Sequence, residues 1–143
     1  EHVTALKWSA PNNTDIAYDD MTKFADTFNV IDNSGQPVRC HKNGGRGYIS
    51  PWVAVYPAHD LNVWQLLEQG KYDKAEAEKS RVSEVLGPWL AKAGAKSGGY
   101  RQMKGIMAAM GYPVGPPRPP TLPCSDDEIA EARELVKELG WTA

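Results

Sequence analysis

The chain has 143 residues, 41% of them hydrophobic, with 16 Lys and Arg against 18 Asp and Glu, three His and two Cys. A formal net charge of −2 without a basic block argues against nucleic acid as a partner. No apolar run approaches the roughly 20 residues that span a bilayer, and the N-terminus has no charged-then-apolar export pattern, so neither a membrane nor secretion is expected. Cys40 and Cys124 stand far apart in no metal-ligand spacing. The expectation is free thiols in a reducing, cytoplasmic setting, with no metal and no cofactor, although a disulfide between the two stays open.

The first element is the run Val3-Thr4-Ala5-Leu6-Lys7-Trp8-Ser9, apolar or β-prone on both sides of one charge and followed by the turn formers Ala10-Pro11-Asn12-Asn13. Such a run reads as a parallel strand buried on both faces, where a lysine is among the least expected residues. Two explanations are open: a buried ion pair or an amine that snorkels to solvent, or a desolvated amine with a lowered pKa, able to attack a carbonyl and form a Schiff base. On a period of two, Lys7 shares a face with Val3, Ala5 and Ser9. That face should be small and dry. Trp8 points the other way, toward packing helices.

Met21, Phe24, Ala25 and Phe28 predict a short helix over 19–28, and Phe28 to Asn33 a second strand, completing a βαβ unit. The polar stretch 35–43 reads as a loop or short helix that ends at Gly44-Gly45, and 45–50 as a third strand. Gly44-Gly45-Arg46-Gly47 precedes a strand rather than a helix, so it lacks the converging donors of a phosphate cradle. The apolar stretch Trp52 to Tyr56 needs cover. Asp60 is the expected N-cap of a helix that stops at Gly70, and a longer helix runs from Tyr72 to about Ala93, kinked at Pro88. Met103, Ile106, Met107 and Met110 form one core stripe. A Pro-rich connector over 113–123 leads to a capping box, Ser125 with Glu128, and to a last helix with Ile129, Ala132, Leu135, Val136 and Leu139 on one face. His2, His41 and His59 share no ligand spacing and read as surface or loop residues, and Lys42 and Lys104 as solvated charges.

Three parallel strands with none following would leave a sheet edge and an apolar face open to water. Further strands are therefore expected from another polypeptide, a second copy, or a preceding half of the same protein.

Several motifs occur together in order: the lysine strand at Val3 to Ser9, Gly45-Arg46-Gly47-Tyr48-Ile49-Ser50, Gln69-Gly70-Lys71-Tyr72-Asp73-Lys74-Ala75, Met103 to Gly111, and Pro116-Pro117-Arg118-Pro119-Pro120 through Leu122-Pro123. In this order and spacing the chain resembles the C-terminal half of the dihydrodipicolinate synthase and N-acetylneuraminate lyase family. The resemblance implies an α/β fold: the last three strands of a (β/α)8 TIM barrel followed by a C-terminal helical extension. Residues 1–60 would be the βα units with the Schiff-base lysine, and 61–143 a barrel helix and the extension. A whole barrel needs roughly 250 residues, so the partner implied is the N-terminal half, in the same or a separate chain. Homo-oligomers are also implied.

For chemistry the resemblance implies a class I lyase, an aldolase or dehydratase, in which Lys7 forms an imine with pyruvate or another 2-keto acid. Ser9 shares the face of Lys7, Asn33 matches a position that lines the substrate pocket, and Ile49 the one whose main-chain carbonyl faces the imine. Asn33-Ser34-Gly35-Gln36 replaces the family's glycine followed by acidic or hydroxyl residues, which counts against sialic acid and aspartate semialdehyde as substrates. The family's proton-relay tyrosine and carboxylate-holding loop belong to earlier strands, and Tyr18, Tyr48, Tyr56, Tyr72, Tyr100 and Tyr112 stand in the wrong elements to replace that tyrosine. The competing expectation is a non-catalytic half-barrel, structural or interacting.

Overall fold

A computed structural model describes residues 2–9, 15–112 and 114–141. The expected turn at Ala10 to Asn13 and the first residue of the Pro-rich connector lie outside them. Three short parallel strands, β1 (Ala5–Trp8), β2 (Asn29–Asp32) and β3 (Gly47–Tyr48), form one sheet in the order β1-β2-β3. Lys7 pairs with Ile31 and Ile31 with Gly47, while Trp8 pairs with Asp32 and Asp32 with Tyr48. Paired residues in a parallel ladder share a face, and successive residues alternate. Lys7, Ile31 and Gly47 therefore form one row, and Trp8, Asp32 and Tyr48 a row on the opposite face.

Helices α1 (Asp15–Met21) and α2 (Pro37–Lys42) connect the strands. A cluster of Tyr18, Met21, Val30 and Cys40 is buried there, with Trp8 packed edge-on against Phe24 at 5.1 Å. Trp8 thus lies on the helix side, as its register requires. The first helix occupies 15–21, not 19–28; beyond Met21 the chain makes successive turns, with Phe24 and Ala25 both donating to the Met21 carbonyl. The apolar spacing was real, but it serves a turn that packs Phe24 and Ala25 on the same cluster. Gly44-Gly45 is structural: a Cβ on Gly45 would lie 2.2 Å from the Cys40 Sγ. Burial pushes that thiol up to about 12.

Helix α3 (Pro57–Glu68) starts three residues before Asp60, which sits in its first turn and is not its cap. Helix α4 (Tyr72–Ser97) continues through Pro88, and α5 (Gly99–Ala109) and α6 (Asp126–Glu138) follow. Two compact units result, one of residues 1–51 with 60–76 and one of 52–59 with 77–143. In the first, Val38, Val63, Leu67 and Ala75 make a second small core. In the other, Val82, Leu86 and Trp89 of α4, Ile106 and Met110 near α5, and Ala132, Val136 and Leu139 near α6 make one large core, with Met103 and Met107 against it. The methionine stripe is packing.

The capping box is complete: Ser125 Oγ accepts from the Glu128 N–H at 3.3 Å, and Glu128 Oε2 from the Ser125 N–H at 2.8 Å. Trp141, just beyond α6, is buried and stacks on Tyr56 at 5.3 Å with Trp52 edge-on at 5.7 Å. The apolar stretch after β3 therefore finds cover within its own unit, although Val53 remains 53% exposed.

Candidate functional site

The C-terminal ends of the three strands bring together the residues singled out in the sequence. Lys7 lies on the face with Ile31 and Gly47; two residues on, the same alternation places Ser9, Asn33 and Ile49 in the next row. Asn33 Nδ2 donates to Ser9 Oγ at 3.0 Å, a contact between strands 24 residues apart in sequence. The backbone fixes both partners, since Asn33 N–H donates to Trp8 O and Ile49 N–H to Asp32 O, each at 2.8 Å. Lys7, Ser9, Asn33 and Ile49 thus stand on one open face.

That face differs from the expectation in one respect. Lys7, Ala5 and Ser9 are exposed, with Val3 64% and Ile49 47% exposed, so the surroundings of Lys7 are not dry. The physical reason is that, among the described residues, the cluster of Tyr18, Met21, Val30 and Cys40 covers the opposite face, while Lys7 and Ser9 on this face stay exposed. Desolvation of the amine needs atoms on the open side that the described residues do not supply.

The covered face holds a residue that the sequence reading passed over. Asp32 is fully buried, and its Oδ1 accepts from the Tyr18 hydroxyl at 3.0 Å and the Ser34 N–H at 3.1 Å, its Oδ2 from the Gln36 N–H at 2.9 Å. The signal was available, because an Asp two and four residues before backbone donors at the start of a short helix is an Asx-type turn. Burial, with the Asp32 carboxylate beside it, raises the Tyr18 phenol well above its ordinary pKa. Tyr48 is raised in the same way, by burial and by its hydrogen bond to Asp60 Oδ1 at 2.8 Å. Both hydroxyls are committed on the covered side.

Two histidines are also not where they were expected. The His41 side chain is 10% exposed, with Nε2 3.1 Å from Glu68 Oε1 and Nδ1 3.3 Å from the Tyr72 hydroxyl. His59 is buried, 3.2 Å from Glu78 Oε1 and packed against Trp141. Neighbouring carboxylates and rings hold both inside the fold, contacts that spacing cannot reveal. Among the described residues no group of three or more His, Cys, Asp or Glu is arranged to hold a metal. Nor is any described helix long and apolar enough to cross a membrane.

Consecutive βα units on one parallel sheet define an α/β protein. The family can be stated more narrowly: the dihydrodipicolinate synthetase family matches over residues 23–139, and the chain belongs to it. Asn33 and Ile49 lie within that match; Lys7 and Ser9 precede it. No curated protein matches. Solved structures with the same fold include a putative dihydrodipicolinate synthetase from Pseudomonas aeruginosa, 18% identical with a TM-score of 0.76 over 97% of this chain and 46% of that one. An N-acetylneuraminate lyase from Fusobacterium nucleatum, complexed with pyruvate, is 18% identical with a TM-score of 0.74 over 95% of this chain and 44% of that one. A 2-keto-3-deoxygluconate aldolase from Sulfolobus, in complex with D-KDPG, is 20% identical with a TM-score of 0.73 over 96% of this chain and 45% of that one. The chain spans just under half the length of these structures.

Proposed function

We propose that this chain supplies the C-terminal part of a (β/α)8 barrel acting as a class I lyase on pyruvate or a related 2-keto acid, with Lys7 as the imine-forming residue. The observation that carries this reading is the row geometry: a lysine on the open face of a parallel sheet, next to the row in which Asn33 and Ser9 are hydrogen-bonded at 3.0 Å. The N-terminal half of the barrel, from the same or a separate chain, would cover that face. It would also desolvate the amine, which favours the neutral, nucleophilic form.

In this reading the neutral Nζ of Lys7 attacks the C2 carbonyl carbon, the carbinolamine loses water, and an imine forms. Once protonated, the imine takes up the electron pair of the carbon–carbon bond that breaks, or, in a dehydration, the pair of the C3–H bond whose proton goes to a base; the resulting enamine then returns that pair to form a new carbon–carbon bond or to expel the hydroxyl group, which leaves with its own bonding pair as water. Ser9 and Asn33 hydrogen-bond the remainder of the keto acid, and the main-chain carbonyl of Ile49 faces the imine. The proton relay and the grip on the keto-acid carboxylate come from the other half, since the Tyr18 and Tyr48 hydroxyls are engaged behind the sheet. The structural relatives named as an aldolase and a lyase support the reaction class.

Treatment of the assembled protein with pyruvate and borohydride, followed by intact mass and peptide mapping, tests the proposal. A reduced adduct on Lys7 is expected; an unmodified Lys7 overturns it. The exposure of Lys7 favours a second reading, a non-catalytic half-barrel that binds a partner through the same open face. That reading predicts assembly without an adduct.

A further inference from the structure

We infer that Asp32, on the face of β2 opposite the candidate site, is a positioning residue that sets the orientation of Asn33 and through it of Ser9. The kinetic arm of its test rests on the lyase reading above; the structural arm does not.

Asn33 has to leave the strand and aim its side chain across to Ser9, and it lies between two residues held by one carboxylate. Asp32 itself is fixed by burial and by the Tyr18 hydroxyl, and the N–H of Ser34, immediately after Asn33, donates to the same oxygen. The other oxygen takes the Gln36 N–H just before α2. The backbone on both sides of Asn33 is therefore anchored. Because successive side chains point to opposite faces, anchoring Asp32 behind the sheet directs the Cβ of Asn33 toward the front. There Asn33 Nδ2 meets Ser9 Oγ, two residues beyond Lys7.

A carboxylate suits this task because three donors converge on two acceptor-only oxygens. An asparagine offers one oxygen and a donating NH2 group, so one side of the arrangement would face donor against donor. From α2 the Arg39 guanidinium lies over the Tyr18 ring at 4.8 Å and the buried Cys40 thiol adjoins Asp32. Neither replaces a lost acceptor.

The test uses the assembled protein with 15N-labelled asparagine, the Asn33 side-chain signal being assigned by its loss in Asn33→Ala. In Asp32→Asn the Asn33 NH2 pair should leave its hydrogen-bonded position and move toward that of a solvated amide. The KM for a keto acid longer than pyruvate should rise by roughly ten-fold, the size expected for directly coupled residues, while adduct formation with saturating pyruvate persists. The double variant Asp32→Asn/Asn33→Ala should be no worse than Asn33→Ala, as required if Asp32 acts through Asn33. Additive effects, or an unmoved Asn33 signal, would overturn the inference. If Asp32→Asn does not fold, Tyr18→Phe removes one donor and should shift the same signal less far; no shift there also overturns it. Absence of a Lys7 adduct in the unmodified protein would remove the lyase reading, and the Asn33 signal would still decide the role of Asp32.

Discussion

Glu128 accepts from the N–H of Ser125 at 2.8 Å and pairs with the buried guanidinium of Arg101, so one carboxylate caps α6 and ties it to α5. Lys96 at the end of α4 adds a third contact at 2.7 Å. Arg101, then Lys96 and the Ser125 N–H, hold the Glu128 carboxyl far below the ordinary carboxylate range.

A group with a depressed folded pKa stabilises the fold above its unfolded pKa, near about 4.3 for Glu, and that contribution is lost as pH falls toward the folded value. Urea unfolding should therefore show stability declining as pH is lowered below about 5, with a shallower decline in Glu128→Gln. At neutral pH Glu128→Gln should itself cost on the order of 3–5 kcal/mol, because it leaves Arg101 buried without its charge partner. A variant with wild-type stability at pH 7 would contradict this account.

Lys7 carries the opposite expectation. Its exposure means that Lys7→Ala should change stability by no more than about 0.5 kcal/mol in the isolated chain. In the assembled protein both Lys7→Ala and Lys7→Arg should lose imine formation, since a guanidinium does not deprotonate to attack a carbonyl. Melting temperature and borohydride trapping, measured on the same samples, separate a nucleophile from a structural charge.

Trp141 closes an aromatic group with Tyr56, Trp52 and His59. Trp141→Ala should destabilise by about 3–5 kcal/mol, as large-to-small changes at buried aromatic positions do. Trp141→Phe should lose less. Calorimetry on the two variants measures the difference, and equal melting temperatures would show that stacking in this group contributes nothing.

The open face and the two sheet edges predict association. Light scattering on the chain alone should show oligomers or aggregates at micromolar concentration; on the half-barrel reading, an N-terminal half should suppress them. A dispersed monomer with cooperative melting would argue against a face that needs a partner.

What the sequence disclosed, and what it did not, divides by the range of the interactions. The Ser125 and Glu128 box, the methionine stripe and the outward register of Trp8 rest on contacts within a few residues or on strict alternation, and all three are present. The family was also legible, because several short motifs kept their order. The apolar spacing points to a first helix later than the one that forms, because Phe24 and Ala25 mimic helical spacing while forming turns. Asp60 has the sequence context of a cap, but its carboxylate instead receives the hydroxyl of Tyr48, 12 residues earlier. The half-burial of His41, the burial of His59 and the docking of Trp141 depend on partners distant in the chain, and the exposure of Lys7 on what lies opposite its strand. None of these is encoded in a local pattern.

The two sides of the sheet imply an order of events in assembly. Val30 and Asp32 are buried, and Trp8 half-buried, against α1, the turn after it and α2, with Tyr18 reaching Asp32 across 14 positions, which is the sort of local closure that forms early. On the opposite side Lys7, Ser9 and Asn33 are exposed, and none of the described residues closes over them. The scaffold behind the strands can thus form first; on the lyase reading, the Lys7 amine gains low-dielectric surroundings only when the open side is later covered. On that reading the lysine stays unactivated until the site around it is complete.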